Sequence, residues 1–316
     1  MAKQKDKPKA KFDFAKINAE INEDLEKAAK KKKTGSRTYK SILGTGNDLT
    51  SVSQDSEDYV VLPTWWKETY GVPGLPFGKL VQIAGDSDTG KTSLAITAMK
   101  AAQDQGCAVI YVETEGKTAT EEMTEWGVDL DNFELIKTKI TEEAFDKAFR
   151  VLEKFEKLYP DSRILFIFDS FGNTISLHDE QMDIVNANQK VGGSAKTNRL
   201  GLGKLLAKME RQNIAVLLVN YTYDNIGTHG KTQAGGKALK FYTVLGINAA
   251  KTGEWHPQRQ GVKVKAGTFV KWTIFKNQLA KSLTDSEGDK ILLPTEIKLK
   301  ISAEGIQRDD RKEKED

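Results

Sequence analysis

The chain has 316 residues, with 48 Lys and Arg against 45 Asp and Glu, and one cysteine. That length holds one large α/β domain with appendages, a net charge of +3 does not by itself argue for nucleic-acid binding, and a lone cysteine excludes an internal disulfide. No run reaches the ~20 apolar residues of a membrane span and the lysine-rich start has no apolar signal core, so a cytoplasmic chain without membrane contact is expected.

Charge is distributed unevenly. Residues 1–40 carry thirteen Lys and Arg against six Asp and Glu, an excess of seven, with a block at Lys30–Lys33. Within 12–33, Phe14, Ile17, Ile21 and Leu25 recur at helical spacing. One apolar stripe on a charged helix needs a partner surface, either its own domain or a neighbouring chain. Residues 1–57 therefore read as a basic helical arm plus a polar linker at 34–57, and are assigned to protomer docking. From residue 58 the pattern alternates strands and helices, the mark of a mostly parallel sheet flanked by helices. Strands are expected at Lys79–Ala84, Ala108–Val112, Ile164–Asp169, Ala215–Asn220, Tyr242–Ala249 and Val270–Phe275. Helices fit at 92–104, 118–126, 142–158 and 196–212, with a further one at 183–190. The core is bounded at 58–283. Residues 284–316 read as a final strand, Glu296–Ile301, and a charged tail.

Gly85-Asp86-Ser87-Asp88-Thr89-Gly90-Lys91-Thr92 completes the pattern G-x-x-x-x-G-K-[ST], between an apolar strand and a helical stretch that begins at Ser93. Such a loop turns backbone N–H groups inward, and the helix N-terminus adds positive potential, which makes a phosphate cradle. Lys91 supplies a point charge for the β- and γ-phosphates, and the Thr92 hydroxyl is placed to ligate Mg²⁺. Residues Gly85 to Ser93 are thus the candidate nucleotide set, with ATP and Mg²⁺ as cofactors. The apolar strand ending in Asp169 offers a second Mg²⁺ ligand. Glu113 and Glu115, at the tip of another strand, are both candidates for polarising an attacking water. Cys107 lies in an apolar run and reads as a buried, inert thiol. His178, His229 and His256 stand too far apart for a structural zinc site.

These blocks, in this order, resemble the RecA recombinases, and the phage UvsX-type members most closely. Gly74-Leu-Pro-Phe-Gly-Lys79 precedes the loop as in that family. Glu113-Thr-Glu115 is followed by Trp126-Gly-Val-Asp-Leu-Asp-Asn132 at the family's spacing, and Phe168-Asp-Ser-Phe-Gly-Asn173 looks like the second nucleotide motif. Val219-Asn-Tyr-Thr-Tyr223 leads through a polar loop to Ala234-Gly-Gly-Lys-Ala-Leu-Lys-Phe-Tyr242, the most specific block of all. The resemblance covers roughly residues 60–282.

It implies a DNA-dependent ATPase that forms a filament on single-stranded DNA and pairs that strand with a homologous duplex, in the host cytoplasm if phage-encoded. Mediator and single-strand-binding proteins are the partners such an enzyme uses. By position it makes Glu115 the water-polarising carboxylate. Tyr221 stands where the family senses the γ-phosphate, though with glutamine or, in the UvsX type, histidine. Ile226 and Gly227 match the apolar tip inserted between bases, the turn Gly235-Gly236-Lys237 faces a DNA phosphate, and Lys196 and Arg199 make backbone contacts. Lys276 matches one of two basic residues presented to the neighbour's ATP, whereas Gln278 replaces the other. Glu122 stands where the family stacks a tyrosine on adenine, leaving Met123 or Trp126 as substitutes. Two rivals are a RecA-core motor of the hexameric helicase type and a DNA-binding mediator that hydrolyses ATP weakly.

Overall fold

The computed structural model describes residues 53–116, 120–181, 193–209, 211–224, 231–233, 236–259, 261–280, 290–309 and 311, together with Asp13, Lys16, Ile17, Glu20, Ile21 and Glu23. Five apolar, partly β-branched runs form strands that pair in parallel: β3 (Leu80–Gly85), β4 (Ala108–Glu113), β6 (Arg163–Asp169), β7 (Asn213–Asn220) and the first half of β10 (Thr243–Trp255). A shorter strand, β5 (Glu134–Lys137), adds to the β4 edge. Beyond β10 the sheet turns antiparallel through β13 (Gly267–Asn277), β14 (Glu296–Ser302) and β15 (Gly305–Arg308). The spatial order is β15-β14-β13-β10-β3-β7-β6-β4-β5, a nine-stranded sheet among the described residues.

Side chains alternate along these strands, which divides the core into two layers. Val81, Ile83, Val109, Tyr111, Leu165, Ile167, Leu217 and Val219 pack on one face with a helix, α2 (Lys91–Asp104), through its Leu94, Ala95, Ala98 and Met99. Ile110, Val112, Phe166, Phe168, Val216 and Leu218 face the other way. There they meet helices α4 (Thr141–Leu158) and, after the short α5 (Leu177–Glu180), α6 (Gly193–Met209); α4 and α6 contribute Phe145, Leu152, Leu202 and Leu205. Strands covered on both faces read as nearly continuous apolar runs, which is why they were legible.

The α/β class and its mostly parallel centre agree with the sequence reading, while several boundaries move. Tyr242 is not in a strand: it ends a helix, α7 (Gly236–Tyr242), and β10 runs on to Trp255. The Thr243 hydroxyl donates to Leu239 O at 2.7 Å and closes that helix. Gly236 and Lys237 accordingly open a helix rather than occupying a turn, and Gly235 lies outside the described residues. The helix expected at 196–212 is Gly193–Met209, and the one expected at 118–126 is α3 (Thr120–Glu125). The helix expected at 183–190 lies outside the described residues, as do Phe14, Leu25 and most of the linker.

Two short segments were not foreseen. Tyr59–Val61 (β1) pairs with Gly74–Pro76 (β2), bracketing α1 (Thr64–Tyr70), whose Trp65 and Trp66 are buried. In the N-terminal arm, Ile17 and Ile21 are buried in the same layer as α4, and Glu20 pairs with Lys154 on α4 at 3.4 Å. Within this single chain Ile17 and Ile21 of the stripe pack on its own core.

Candidate functional site

The parallel strands end together. Glu113 sits opposite Asp169, Ala84 opposite Asn220, and Gly85 opposite Ala249. Ligands of open α/β sheets bind in the crevice outside such carboxyl ends, and the phosphate loop, residues 85–92, leaves β3 at that edge. Gly90 takes φ +83, a left-handed conformation open to glycine, and a Cβ there would strike Ile301 and Trp272. A Cβ on Gly85 would strike Ala249 O, so the strand exit also admits only glycine at this spacing.

Within the loop, Lys91 Nζ donates to Asp86 O and lies 3.4 Å from Thr89 Oγ1. Burial lowers the Lys91 pKa, opposed by the charges of Asp169, Glu115, Asp86 and Asp88 around it. Thr92 Oγ1 donates to Asp169 Oδ2 at 2.9 Å, and Tyr111 Oη donates to the same oxygen at 3.2 Å. Burial pushes Asp169 up to about 6, against these two hydrogen bonds and Lys91, while the Glu115 charge pushes the same way. A hydroxyl beside a buried carboxylate is the hard-oxygen donor set that Mg²⁺ takes when phosphates supply its other ligands. Among the described residues there is no group of three or more His, Cys, Asp and Glu that could hold a metal alone.

The two glutamates separate cleanly. Glu113 is 4% exposed, and its Oε1 accepts from the backbone N–H groups of Glu115 at 2.9 Å and Gly116 at 2.5 Å. It shapes the turn after β4. Glu115 is partly exposed, and its charge reaches both Lys91 and Asp169. Ser93 Oγ lies 3.5 Å from Glu122 Oε1 on α3, and burial raises the Glu122 pKa. Met123 is buried in the core at 1% exposure, so it is not available to stack on a base; Trp126 packs partly buried against the same core.

Sequence reasoning missed several supports. Trp272 on β13 donates its indole N–H to Thr89 O at 2.9 Å, bracing the loop from the antiparallel half of the sheet. Thr114 and Ser170 exchange two hydrogen bonds at 3.0 Å, which joins the turn after β4 to the end of β6, where the Asp169–Ser170 peptide is cis. Thr222 donates to Asp86 Oδ1 at 2.9 Å. The tyrosine in strand β4 and the tryptophan in Val270-Lys-Trp272 fall within expected strands, but their partners lie far away in sequence.

Of the expected DNA-facing residues, Lys196 and Arg199 are exposed on α6, one turn apart. Tyr221 joins β7 to a short hairpin, β8 (Thr222–Asp224) and β9 (Lys231–Gln233), and its N–H donates to Asn220 Oδ1 at 3.0 Å. Ile226 and Gly227 fall between those two strands and lie outside the described residues, as does the segment 182–192. Lys276 Nζ donates to Lys240 O at 2.9 Å and to Phe241 O at 3.2 Å, at the C-terminal end of α7. A cation at carbonyls left open by a helix end is favourable. Beside it, Phe241 is 80% exposed.

The RecA N-terminal domain family model matches residues 40–295, a span that includes the loop, both glutamates, Asp169, the hairpin and Lys276. Protein RecA of Aquifex pyrophilus is 25% identical over 280 residues, 86% of this chain and 77% of that protein. Protein RecA of Aquifex aeolicus (strain VF5) is 27% identical over 225 residues, covering 70% of this chain and 61% of the relative. Protein RecA of Sulfurovum sp. (strain NBC37-1) is 29% identical over 223 residues, 69% of this chain and 61% of the relative. The chain thus spans about three fifths of the length of the last two.

Proposed function

The chain belongs to the RecA family, and from that premise we propose that it is an ATP-dependent DNA recombinase of the phage UvsX type. It would assemble with ATP and Mg²⁺ as a filament on single-stranded DNA and exchange that strand with a homologous duplex. The observation that carries this reading is the meeting of Lys91, Thr92, Glu115 and Asp169 at the carboxyl edge of the parallel strands, within a family match that also takes in the β8–β9 hairpin.

Bound Mg²⁺-ATP supplies the γ-phosphoryl group and the charge neutralisation for its transfer to water. The chain's own groups do the rest. Lys91 would turn its ammonium from Asp86 O to the phosphates, and backbone N–H groups of the loop would hold their oxygens. Thr92 and Asp169 would hold the cation. Glu115 orients the attacking water, while Glu113 fixes the turn that presents Glu115. Tyr221, at the end of β7, can offer a phenol to phosphate or water.

Single-stranded DNA would lie along the side where α6, the β8–β9 hairpin and the start of α7 meet the chain's surface. Lys196, Arg199 and Lys237 neutralise phosphates, Gly235 and Gly236 let backbone approach them, and Ile226 with Gly227 wedges between bases. Recognition of sequence comes from base pairing. In a filament, Ile17 and Ile21, which here pack on their own core, would cover the equivalent surface of a neighbour, and Lys276 would reach the neighbour's nucleotide.

Two observations favour a second reading, a mediator that binds ATP and DNA but hydrolyses slowly: Lys276 is engaged with α7 carbonyls and position 278 is a glutamine. Electron microscopy of the protein with single-stranded DNA and ATP, alongside DNA-stimulated phosphate release, tests the proposal. Regular helical filaments with stimulated hydrolysis support it. Closed rings would point to a helicase-type motor, and filaments without turnover to the mediator.

A further inference from the structure

The β8–β9 hairpin is tied to the nucleotide side of the fold at one cross-strand pair, Thr222 opposite Gln233. On the first strand, Thr222 Oγ1 donates to Asp86 Oδ1 in the phosphate loop at 2.9 Å. On the second, Gln233 is 7% exposed, and its Oε1 accepts from Gln82 Nε2 at 3.2 Å. Its Nε2 donates to Asn248 Oδ1 on β10 at 2.9 Å. Gln82 is fully buried on β3, three residues ahead of Gly85, and Thr243 Oγ1 lies 3.2 Å from its Oε1. That hydroxyl shares its single proton with Leu239 O of α7. A continuous polar chain therefore runs from α7 through β10 and β3 to the hairpin, and a second contact runs from the hairpin to the loop.

Most of β3 is apolar, and a glutamine in its middle costs free energy unless each amide group is paired. Its partners are the hairpin and the start of β10. Pulling the hairpin away would strand buried amides in a low-dielectric interior, so β3 and the hairpin are held in one register. Asp86 is differently placed. Its backbone oxygen accepts from Lys91 and from Thr89 Oγ1, and its carboxylate accepts from Thr222. A movement of Lys91 changes the same residue whose side chain holds the hairpin.

We propose that Thr222 and Gln233 are positioning residues that couple what the phosphate loop holds to the placement of the β8–β9 hairpin. Thr222 is the adjustable contact and Gln233 the fixed pivot. This rests on the reading above that the loop binds ATP and that the hairpin belongs to the single-stranded DNA surface. Coupling of this kind is reciprocal: the factor by which nucleotide changes DNA affinity equals the factor by which DNA changes nucleotide affinity.

The experiment measures affinity for a fluorescein-labelled oligothymidylate, with and without a slowly hydrolysed ATP analogue, for the wild type, Thr222→Val, Thr222→Ser and Gln233→Leu. The ratio of the two affinities is the coupling. Expected are a wild-type ratio well above one, a fall of about tenfold in Thr222→Val with DNA-free analogue affinity unchanged, and recovery in Thr222→Ser. Gln233→Leu lowers the ratio as well. The inference is overturned if Thr222→Val and Gln233→Leu keep the wild-type ratio, if Thr222→Ser behaves like Thr222→Val, or if the wild type binds both ligands with a ratio of one. A wild type that binds no ATP analogue, or no single-stranded DNA in either condition, sinks the parent reading instead.

Discussion

The Thr92 hydroxyl donates to the Asp169 carboxylate at 2.9 Å, across 77 residues of sequence, joining the first turn of α2 to the tip of β6. Strand β6 brings Asp169 to this point because Phe166 and Phe168 anchor it in one core layer and Leu165 and Ile167 in the other. The carboxylate is consequently buried beside the Thr92 hydroxyl, and the two oxygens together would hold a divalent ion.

Lys91→Ala removes the loop's ammonium. Each charge-assisted hydrogen bond to a phosphate oxygen is worth about 1.5–3 kcal/mol, so ATP affinity is expected to fall by about 100-fold or more. Equilibrium binding of a fluorescent ATP analogue measures this. Affinity within a factor of three of the wild type would remove the phosphate-loop assignment.

Glu115→Gln should keep ATP binding and slow hydrolysis by a factor on the order of 10²–10⁴, the size of a lost acid–base contribution. Glu113→Ala should act on stability instead. It leaves two backbone N–H groups without their carboxylate acceptor, a cost of about 1–3 kcal/mol readable as a lower melting temperature. Single-turnover rates and melting curves on both variants separate the roles, and the reverse pattern would exchange them.

The central strands and the phosphate loop were legible because their signals are local. Parallel strands buried on both faces give nearly unbroken apolar runs, and the loop is defined by spacing alone. Short elements carry too few residues for a period: β1 and β2 have three each, and β5 has four. Tyr242 looked like the start of a strand because aromatic residues favour sheets. The Thr243 hydroxyl closing the helix at Leu239 O sets the real boundary. Trp272 and Thr89 are 183 residues apart, and Thr222 and Asp86 are 136 apart. Contacts of that separation are made by sheet order, which propensity does not encode.

Lys276→Ala, mixed in excess with the wild type, should depress DNA-stimulated ATPase below the value expected from dilution, since mixed filaments would contain sites lacking the neighbour's cation. The readout is turnover against mixing ratio. Strict additivity would confine Lys276 to the α7 carbonyls of its own chain.

Cys107 is 1% exposed, and burial pushes its thiol up to about 11. At pH 8 the folded chain should resist alkylation by iodoacetamide and react only once denatured. The folded thiol holds its proton above the ordinary value of 9.0, so the folded state binds more protons between pH 9 and 11. Its contribution to stability is therefore present below pH 9 and lost as pH climbs to about 11. Denaturant midpoints for the wild type and Cys107→Ala across that range check the sign: the loss with rising pH should be smaller in the variant.

Strand exchange is the most direct measurement of the central claim. Circular single-stranded DNA and a homologous linear duplex are incubated with the protein, ATP and Mg²⁺, and joint molecules and nicked circles are resolved on a gel. A recombinase yields both products with the homologous duplex, neither with a heterologous one, and neither with Lys91→Ala. Filament formation and ATP turnover without any joint molecules from the homologous pair would contradict the assignment.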